Sequence, residues 1–519
     1  MSRYLLGIDN GGTVSKAALF TTSGEEVGVA SRLVDVLEPK PGWSERDMTA
    51  LWRSTAEAIR ELLTKTKVNP AEIACVATAG HGNGLYLIDK AGNPTRNGIY
   101  STDKRAQSYV DKWLADGIDA KVLPKTTQCL WAAQPNALLA WVRDNEPEVF
   151  KKSSAVLMCK DYVRFRLTGA VQAEVTDMSG TSLLNVVTGQ YDDQVLALFG
   201  IPEVKRLLPP LVKSAEICGS VTAQAAADTG LKAGTPVAGG LFDIDACALA
   251  AGIVDERQIS LVAGTWGCHT YVSREPLIDK DLFMTTCFCI PGNYLMLEGS
   301  PTSASNLEWF VNEIIGREVG RASLPAGTEA GATPAGTEAG ATPAEKSIYD
   351  LCNELVASVR GEDVSAIFLP FLYGSNAGLN AKGCFIGLEG WHMRAHVLRA
   401  VYEGVVFGHN THLQRLLKFR RAPEAIRFTG GAARSQVWVQ MFADCFQIPI
   451  EIPAGTELGA LGAAIAAAVA AGVYPGYSQA VAAMTRIARR HEPDASKKEL
   501  YERKYERYHG AIKALKNFW

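Results

Sequence analysis

The sequence predicts an α/β protein made of two domains that share one architecture. The chain has 519 residues, which is too long for a single hydrophobic core. Strand patterns and a helical pattern alternate within the first 80 residues, as is typical of mixed α/β domains. The glycine- and threonine-containing turn at residues 11–13 returns at residues 264–265, again between two strand patterns. We therefore expect a duplicated α/β unit with a cleft between the two copies.

The first copy follows from hydrophobic periodicity. Residues 4–9 form a short apolar strand, residues 10–13 a turn, and residues 15–20 the returning strand. A third strand is predicted at residues 27–31. Asp47 begins a helix whose apolar positions recur about every 3.6 residues. Another buried strand, residues 73–78, runs into the glycine-rich loop at residues 79–84.

The same pattern restarts after Asp255. Strands are predicted at residues 259–263, 268–272, 294–298, 366–369 and 425–428. Helices are predicted at residues 304–315, 396–417 and 435–446, and from Lys497 onwards. Residues 458–473 form the longest uncharged apolar run. This run is shorter than a membrane span needs, so it predicts a buried packing helix.

Composition excludes several classes of protein. The formal net charge is −3, which gives no basic surface for nucleic acid. The N-terminal residues do not resemble a signal peptide. We expect a soluble, cytoplasmic protein that binds neither membrane nor zinc and that can form a homodimer. The unit Pro-Ala-Gly-Thr-Glu-Ala-Gly-Ala-Thr occurs at 325–333 and again at 334–342, and it predicts a mobile surface insertion at 320–346 without a site.

One carboxylate and three glycine-rich turns are candidates for a site. Asp243 follows Gly239 and Gly240, where backbone and ligand can approach closely. The alternative is that Asp243 only caps the helix that follows it. The turns are residues 11–13, 264–265 and 430–432, and each can offer backbone N–H groups to phosphate oxygens or be merely a tight turn. None has the spacing of a P-loop or of a dinucleotide fingerprint.

Longer motifs identify a family. Gly-Cys-Phe-Ile-Gly-Leu at 383–388, followed after seven residues by His-Val-Leu-Arg-Ala-Val-Tyr-Glu at 396–403, is similar to a signature of the FGGY carbohydrate kinases. The resemblance spans nearly the whole chain apart from 320–346. It implies two actin-like ATPase (ribonuclease H-like) domains: an N-terminal domain at 1–250 with the sugar site and catalytic base, a nucleotide-binding domain at 251–487, and a closing helix at 488–519.

The resemblance also implies roles for individual residues. Asp243 matches the catalytic base. Asp9 matches the carboxylate that holds Mg²⁺ through water, and Asp243 is implied as the second residue of the metal site. The residues that match the ATP-binding turns are Gly11, Gly12, Thr13, Gly264, Thr265, Gly430, Gly431 and Ala432. Those that match the sugar or polyol site are Gly80, His81, Gly82, Asn83, Asp103 and Arg105, together with Asp243.

The substrate is predicted from resemblance alone. The motifs at 9–13, 80–84 and 371–378 look most like the branch that contains erythritol kinases and L-xylulose kinases. We expect ATP- and Mg²⁺-dependent phosphorylation of a terminal hydroxyl of erythritol, with L-xylulose as the alternative acceptor. A different class also stays open: an actin-like ATPase that is not a kinase, or a sugar sensor.

Overall fold

The computed structural model describes residues 3–280, 282–315, 347–375 and 380–519. The nine-residue copies at 325–342 and part of the motif at 371–378 lie outside these ranges. In chain order the strands are Tyr4–Asn10, Val14–Thr21, Glu26–Leu33, Glu45–Arg46, Ile73–Gly80, Tyr86–Ile88, Gly98–Ile99, Ala155–Leu157, Ala173–Glu174, Leu184–Asn185, Gln190–Tyr191, Leu211–Val212, Ile217–Ser220, Pro236–Ala238, Leu241–Phe242, Gln258–Ala263, Gly267–Ser273, Met284–Cys287, Tyr294–Ser300, Ile367–Leu369, Cys384–Ile386, Ala425–Thr429, Ile450–Pro453 and Ile487–His491.

The α-helices of the described residues are given next, those of unit 2 after those that pack in unit 1. They are Met48–Thr66, Gln107–Ala115, Ile118–Thr126, Pro135–Asn145, Pro147–Lys152, Cys159–Thr168, Val175–Met178, Asp193–Leu198, Ala223–Thr229, Asp243–Ala250, Leu458–Ala470, Tyr477–Met484, Ser305–Phe310, Ile348–Ala357, Arg394–Leu416, Gln436–Phe446 and Lys498–Leu515. The mixed α/β class predicted from the sequence is confirmed.

Contacts divide the chain into two compact units, and each is built from several segments. Unit 1 contains residues 1–256, 270–297 and 453–486. Unit 2 contains residues 257–269, 298–452 and 487–519. The predicted boundaries at 250 and 487 assume continuous domains, and they stay a prediction.

Unit 1 is organised around a seven-stranded sheet. Its order is Ile217–Ser220, Pro236–Ala238, Ile73–Gly80, Tyr4–Asn10, Val14–Thr21 and Glu26–Leu33, with Leu241–Phe242 also paired to Ile73–Gly80. The strand Tyr4–Asn10 is antiparallel to Val14–Thr21 and parallel to Ile73–Gly80. Because the two parallel strands are in register, Asn10 lies beside Gly80, and the two predicted site loops leave the same edge of the sheet.

Two helices cover this sheet for identifiable reasons. Asp47 caps Met48–Thr66 by accepting hydrogen bonds from the backbone N–H groups of Thr49 and Ala50. The alanine-rich helix Leu458–Ala470 is buried along most of its length, as its apolar composition predicts. Its side chains share one apolar core with Leu5, Ala77 and other residues of the sheet.

In unit 2 the parallel strands Gln258–Ala263, Ala425–Thr429 and Ile450–Pro453 lie side by side, followed by Ile487–His491. The helix Arg394–Leu416 is largely buried, and Gln436–Phe446 begins where Ser435 accepts a hydrogen bond from the N–H of Trp438. Within the described parts of the chain, no helix combines the length and the apolar character that crossing a membrane requires.

Candidate functional site

Asp9 lies near the end of the first strand of unit 1 and is half-buried. Burial raises the pKa of Asp9 to about 6, with Lys16 opposing the shift and Glu457 adding to it. Lys16 stands opposite Asp9 in the antiparallel register and forms an ion pair with Glu457 at 3.0 Å. The surroundings of Asp9 therefore supply too little positive charge to compensate its carboxylate.

The helix Leu458–Ala470 approaches Asp9 with its amino end. A Cβ atom on Gly459 would collide with the Asp9 carboxylate, so only glycine permits this approach. The amino end of a helix carries a partial positive charge that favours an anionic side chain. This packing fixes the position of Asp9 from the side opposite the sheet strands.

Asp243 is the first residue of the helix Asp243–Ala250, which follows the two-residue strand Leu241–Phe242. That strand is parallel to Ile73–Gly80, and Phe242 pairs with Gly80. The helix has no side-chain cap, so the structure does not support the alternative that Asp243 is simply a helix cap. Burial, and then the charge of Asp9, raise the pKa of Asp243 to about 7. Two mutually repelling carboxylates therefore meet at this edge.

The strand Ile73–Gly80 ends at the predicted substrate residue Gly80, and the loop after it carries three more, His81, Gly82 and Asn83. The His81 N–H donates to the Asn10 carbonyl at 3.1 Å, which joins this loop to the first glycine turn. Asn83 adopts a left-handed backbone conformation with φ of 61° and leaves its side-chain Oδ1 buried without a partner. A Cβ on Gly82 would lie 2.5 Å from the ring of Phe242, so glycine lets the loop pack against the segment that presents Asp243.

The imidazole of His81 is buried and uses both nitrogens within the protein. Its Nε2 lies 3.0 Å from the Tyr86 hydroxyl and 3.5 Å from Nη1 of Arg46, and its Nδ1 lies 3.3 Å from the Gly82 carbonyl. Because a guanidinium only donates, Nε2 is the acceptor and the proton resides on Nδ1. Burial, and then the charge of Arg46, lower the pKa of His81 to about 3. His81 is therefore neutral.

Asp103 and Arg105 form a buried ion pair. Nε and Nη2 of Arg105 donate to the two carboxylate oxygens of Asp103 at 2.9 and 2.8 Å. The Ser44 N–H donates to Asp103, Glu45 pairs with Arg105 at 2.9 Å, and the guanidinium stacks on Trp43. Nη1 of Arg105 is left without a hydrogen bond. These contacts occupy nearly all of the polar side-chain atoms of Asp103 and Arg105, the two residues that were predicted to contact substrate.

The first glycine turn, also in unit 1, joins the strands Tyr4–Asn10 and Val14–Thr21. The Gly11 N–H donates to the Val14 carbonyl at 3.0 Å, and the Thr13 carbonyl accepts from Val34. A Cβ on Gly12 would collide with the hydroxyl of Tyr100. The turn is half-buried, and its tight form depends on glycine at residue 12.

The other two predicted nucleotide turns lie together in unit 2. Gly264 and Gly430 follow the neighbouring parallel strands Gln258–Ala263 and Ala425–Thr429, so both turns leave one edge of the sheet. Gly430 has φ of 92°, and a Cβ there would lie 2.5 Å from the Ala263 carbonyl oxygen. Thr265 and Gly431 are exposed, whereas Ala432 is buried. This edge presents backbone and one hydroxyl with little side-chain bulk.

A chain of buried histidines lies behind the turn at Gly264. Nε2 of His269 is 2.8 Å from Nδ1 of His409, whose Nε2 is 2.7 Å from the hydroxyl of Ser303. The residue after Ser303, Ala304, donates its N–H to the Gly264 carbonyl. Burial, and then His412, lower the pKa of His409 to about 3. The turn is thus held by a neutral hydrogen-bonded relay.

This relay predicts loss of stability in acid. Because the folded pKa of His409 is depressed, the unfolded chain binds one more proton between about pH 6.5 and 3. The free energy of unfolding should therefore fall as the pH drops, by about 1.4 kcal/mol per pH unit for this histidine. Urea unfolding at pH 7.5, 6.5, 5.5 and 4.5 measures it. His409→Gln should reduce the slope by that amount, and an unchanged slope would show that His409 is not buried and neutral.

Sequence reasoning missed a buried charged cluster beneath the loop at 80–84. Lys160, with no exposed surface, packs against Gly80 and pairs with Asp161 at 2.8 Å and Glu174 at 3.2 Å. Asp177 leaves both carboxylate oxygens buried without a hydrogen bond, and burial raises its pKa well above the usual range. Lys160, Asp161 and Arg164 stand close together in the sequence, but the polar composition of the helix Cys159–Thr168 gives no sign of its burial.

The comparisons with known proteins agree with this architecture. Residues 4–250 match the N-terminal domain, and residues 259–471 the C-terminal domain, of the FGGY family of carbohydrate kinases. The crystal structure of xylulose kinase from Rhodospirillum rubrum superposes with a TM-score of 0.87 at 28% identity and covers 99% of both chains. The fold is therefore the two-domain actin-like ATPase fold of a sugar-phosphorylating enzyme.

Curated relatives extend along the whole chain. The L-xylulose/3-keto-L-gulonate kinase of Escherichia coli (strain K12) is 41% identical over 520 residues, which cover 100% of this chain and 98% of that protein. A probable L-xylulose kinase of Pasteurella multocida (strain Pm70) is 37% identical and covers 99% of both chains. The chain belongs to the FGGY family of carbohydrate kinases, and the predicted family and enzyme class are confirmed.

Proposed function

We propose that this protein transfers the terminal phosphoryl group of ATP to a hydroxyl of a ketopentose of the L-xylulose type. The observation that carries the proposal is Asp243, a half-buried carboxylate that caps no helix and stands beside Gly80, where the predicted substrate loop begins. A raised pKa of about 7 suits a general base near neutral pH. Asp243 would take the proton of the acceptor hydroxyl at its carboxylate oxygen.

Asp9 and Asp243 are suited to a divalent cation. The charge of Asp9 raises the pKa of Asp243, and Mg²⁺ in phosphoryl-transfer sites is held by one or two carboxylates together with phosphate oxygens. Bound there, Mg²⁺ would neutralise charge on the phosphoryl oxygens. Asp9 would hold the ion through water, as the family resemblance implies, while the ion pair of Lys16 with Glu457 would keep the neighbouring positive charge fixed.

The glycine turns supply the nucleotide contacts in this proposal. Gly11, Gly12 and Thr13 in unit 1 would face phosphate oxygens. In unit 2, Gly264 and Thr265 would do the same, and the turn Gly430–Gly431–Ala432 would accommodate adenosine. The missing side chains at the glycines of these turns support this role, because the backbone can then approach a phosphate closely.

The substrate class rests on the relatives and on the loop at residues 80–83. Two curated relatives that cover nearly the whole chain are named for L-xylulose. They support the ketopentose alternative over erythritol, for which the comparisons offer no support. In this proposal Asn83, with its unpartnered buried oxygen, accepts a hydrogen bond from a sugar hydroxyl, whereas His81 holds the loop in shape.

A panel of acceptors tests the function. With MgATP, ADP release should depend on sugar and be fastest with L-xylulose, slower with D-xylulose and L-ribulose, and close to background with erythritol and glycerol. A site that hydrogen-bonds each hydroxyl of its substrate rejects analogues that lack one. We therefore expect kcat/KM for L-xylulose to exceed that for erythritol or glycerol by at least tenfold. Turnover concentrated on erythritol would overturn the ketopentose assignment. ADP release that no sugar of the panel accelerates would also overturn the ketopentose assignment and would place the acceptor outside this panel.

A further inference from the structure

Arg46 is a buried cation without a counter-charge. Its side chain has no exposed surface. Nη1 lies 3.3 Å from the Gly11 carbonyl oxygen and 3.5 Å from Nε2 of His81, and the guanidinium also interacts with the neutral thiol of Cys159. Nε and Nη2 have no hydrogen-bond partner. Other buried arginines of unit 1 differ, since Arg105 pairs with Asp103 and Arg164 pairs with Asp161 at 2.8 Å. No carboxylate of the described residues forms an ion pair with Arg46.

The surroundings of Arg46 are aromatic and neutral. Its guanidinium lies 5.0 Å from the centre of the Tyr100 ring, a cation–π contact that offsets only part of the loss of hydration. Tyr86 and Cys159 are also nearby, and burial keeps both uncharged by raising the pKa of Tyr86 well above its usual range and that of Cys159 to about 11. A buried charge left in this state is costly for the folded protein.

The position of Arg46 indicates which charge would complement it. It stands on the two-residue strand Glu45–Arg46 and contacts both the first glycine turn and the substrate loop. Tyr100 links it to the predicted base, because the charges of Arg46 and Asp243 both act on the pKa of this tyrosine. Negative charge placed between Asp243 and the turn at Gly11 would therefore lie in the field of Arg46.

We propose that Arg46 is a positioning residue whose fixed positive charge, held behind Gly11 and His81, stabilises the phosphoryl group during transfer. The proposal rests on the proposed function. Because Arg46 is enclosed, it acts through Gly11, whose carbonyl it holds, and through the electrostatic field rather than by touching the phosphoryl oxygens. It serves the anionic reactant, so it does not select among neutral sugars.

Arg46→Gln and Arg46→Lys test this assignment. Arg46→Gln should lower kcat by about 10- to 100-fold, somewhat less than loss of a donor that touches the transition state, while KM for the sugar changes by less than about threefold. Arg46→Lys keeps the charge and should recover most of the loss. The Tm of free Arg46→Gln should equal or exceed that of the parent, because an uncompensated buried charge is removed. Arg164→Gln, which removes one of the two cations that pair with the buried Asp161 carboxylate, should lower the Tm.

A merely structural role gives the opposite result. In that case Arg46→Gln would lower the Tm, and Arg46→Lys would be as inactive as Arg46→Gln. A rise in sugar KM with kcat unchanged would also overturn the proposal, since it would place the charge on the substrate.

Binding without sugar separates this proposal from the proposed function. Calorimetric titration with MgATP and with MgADP gives the preference for the terminal phosphoryl group even if no acceptor is turned over. Arg46→Gln should reduce the ratio of ATP to ADP affinity by about tenfold, as expected for one charge interaction in a protein interior. An unchanged ratio would overturn the role of Arg46, whereas failure of the acceptor panel alone would overturn only the proposed ketopentose substrate.

Discussion

Replacing Asp243 by asparagine is expected to lower kcat for phosphoryl transfer by about 10³-fold or more, within the range that loss of a general base produces. The amide keeps the size and most of the packing of the carboxylate but cannot accept the hydroxyl proton. Because the glycine turns that would contact ATP are untouched, the affinity for nucleotide should change by less than about threefold. Coupled measurement of ADP release, together with titration of MgATP, gives both quantities.

Asp111→Asn is the matched control for this substitution. Asp111 is an exposed aspartate whose carboxylate accepts a hydrogen bond from Gln107 one helical turn away. The control should retain the parent rate and Tm, because surface changes of this kind have small effects. If Asp243→Asn lost ATP affinity together with activity, Asp243 would be holding the structure of the site rather than accepting a proton.

Gly7→Ala is expected to lower the free energy of unfolding by about 3 kcal/mol or more, or to prevent folding, because overpacking against backbone cannot be relieved cheaply. A Cβ on Gly7 would collide with the carbonyl oxygen of Ala460, where the helix Leu458–Ala470 crosses the first strand. The colliding atom belongs to the backbone of a buried helix, so the helix itself must move. Urea unfolding measures the loss.

Gly510→Ala makes the same chemical change in open space. Gly510 lies in the helix Lys498–Leu515, and a Cβ there meets no atom within 4 Å. This control should be neutral or more stable by up to about 1 kcal/mol, since alanine favours the helical state over glycine. Equal stability of Gly7→Ala and the parent would show that the helix does not cross the strand this closely.

Much of the fold follows from local pattern. The strands around Asp9, the helix after Asp47 and the buried run at 458–470 have apolar residues at the spacing that their structures require. Which sheet the run at 458–470 covers could not be predicted, because its alanines carry no information about their partner. The sequence separation of Gly7 and Ala460 makes the point: two small residues meet only because the chain returns there.

Candidate site residues could be predicted where glycines and carboxylates stand together in the sequence. Residues whose role depends on burial or on pairing with distant residues could not. Asp9 lies near the end of a strand and Asp243 directly follows one, so their place at a sheet edge could be anticipated. Arg46 lies in a polar stretch that gives no sign of its full burial. Asp103 and Arg105 were assigned by resemblance, and their pairing with each other appears only in three dimensions. Sugar stereochemistry depends on such arrangements, so the expectation of erythritol rests on resemblance alone, and the relatives support the ketopentose alternative instead.

Because unit 1 is built from segments that lie far apart in the sequence, its parts are synthesised at different times. The strand Tyr4–Asn10 leaves the ribosome long before the helix Leu458–Ala470 that covers it, and translation at about 5–20 residues per second makes that delay roughly 20 to 90 seconds. During this interval one apolar face of the first sheet has no partner from its own chain. The newborn polypeptide must therefore be shielded, or must stay open, until roughly its last eighth is synthesised, and a chain truncated before this helix should aggregate rather than form half an enzyme.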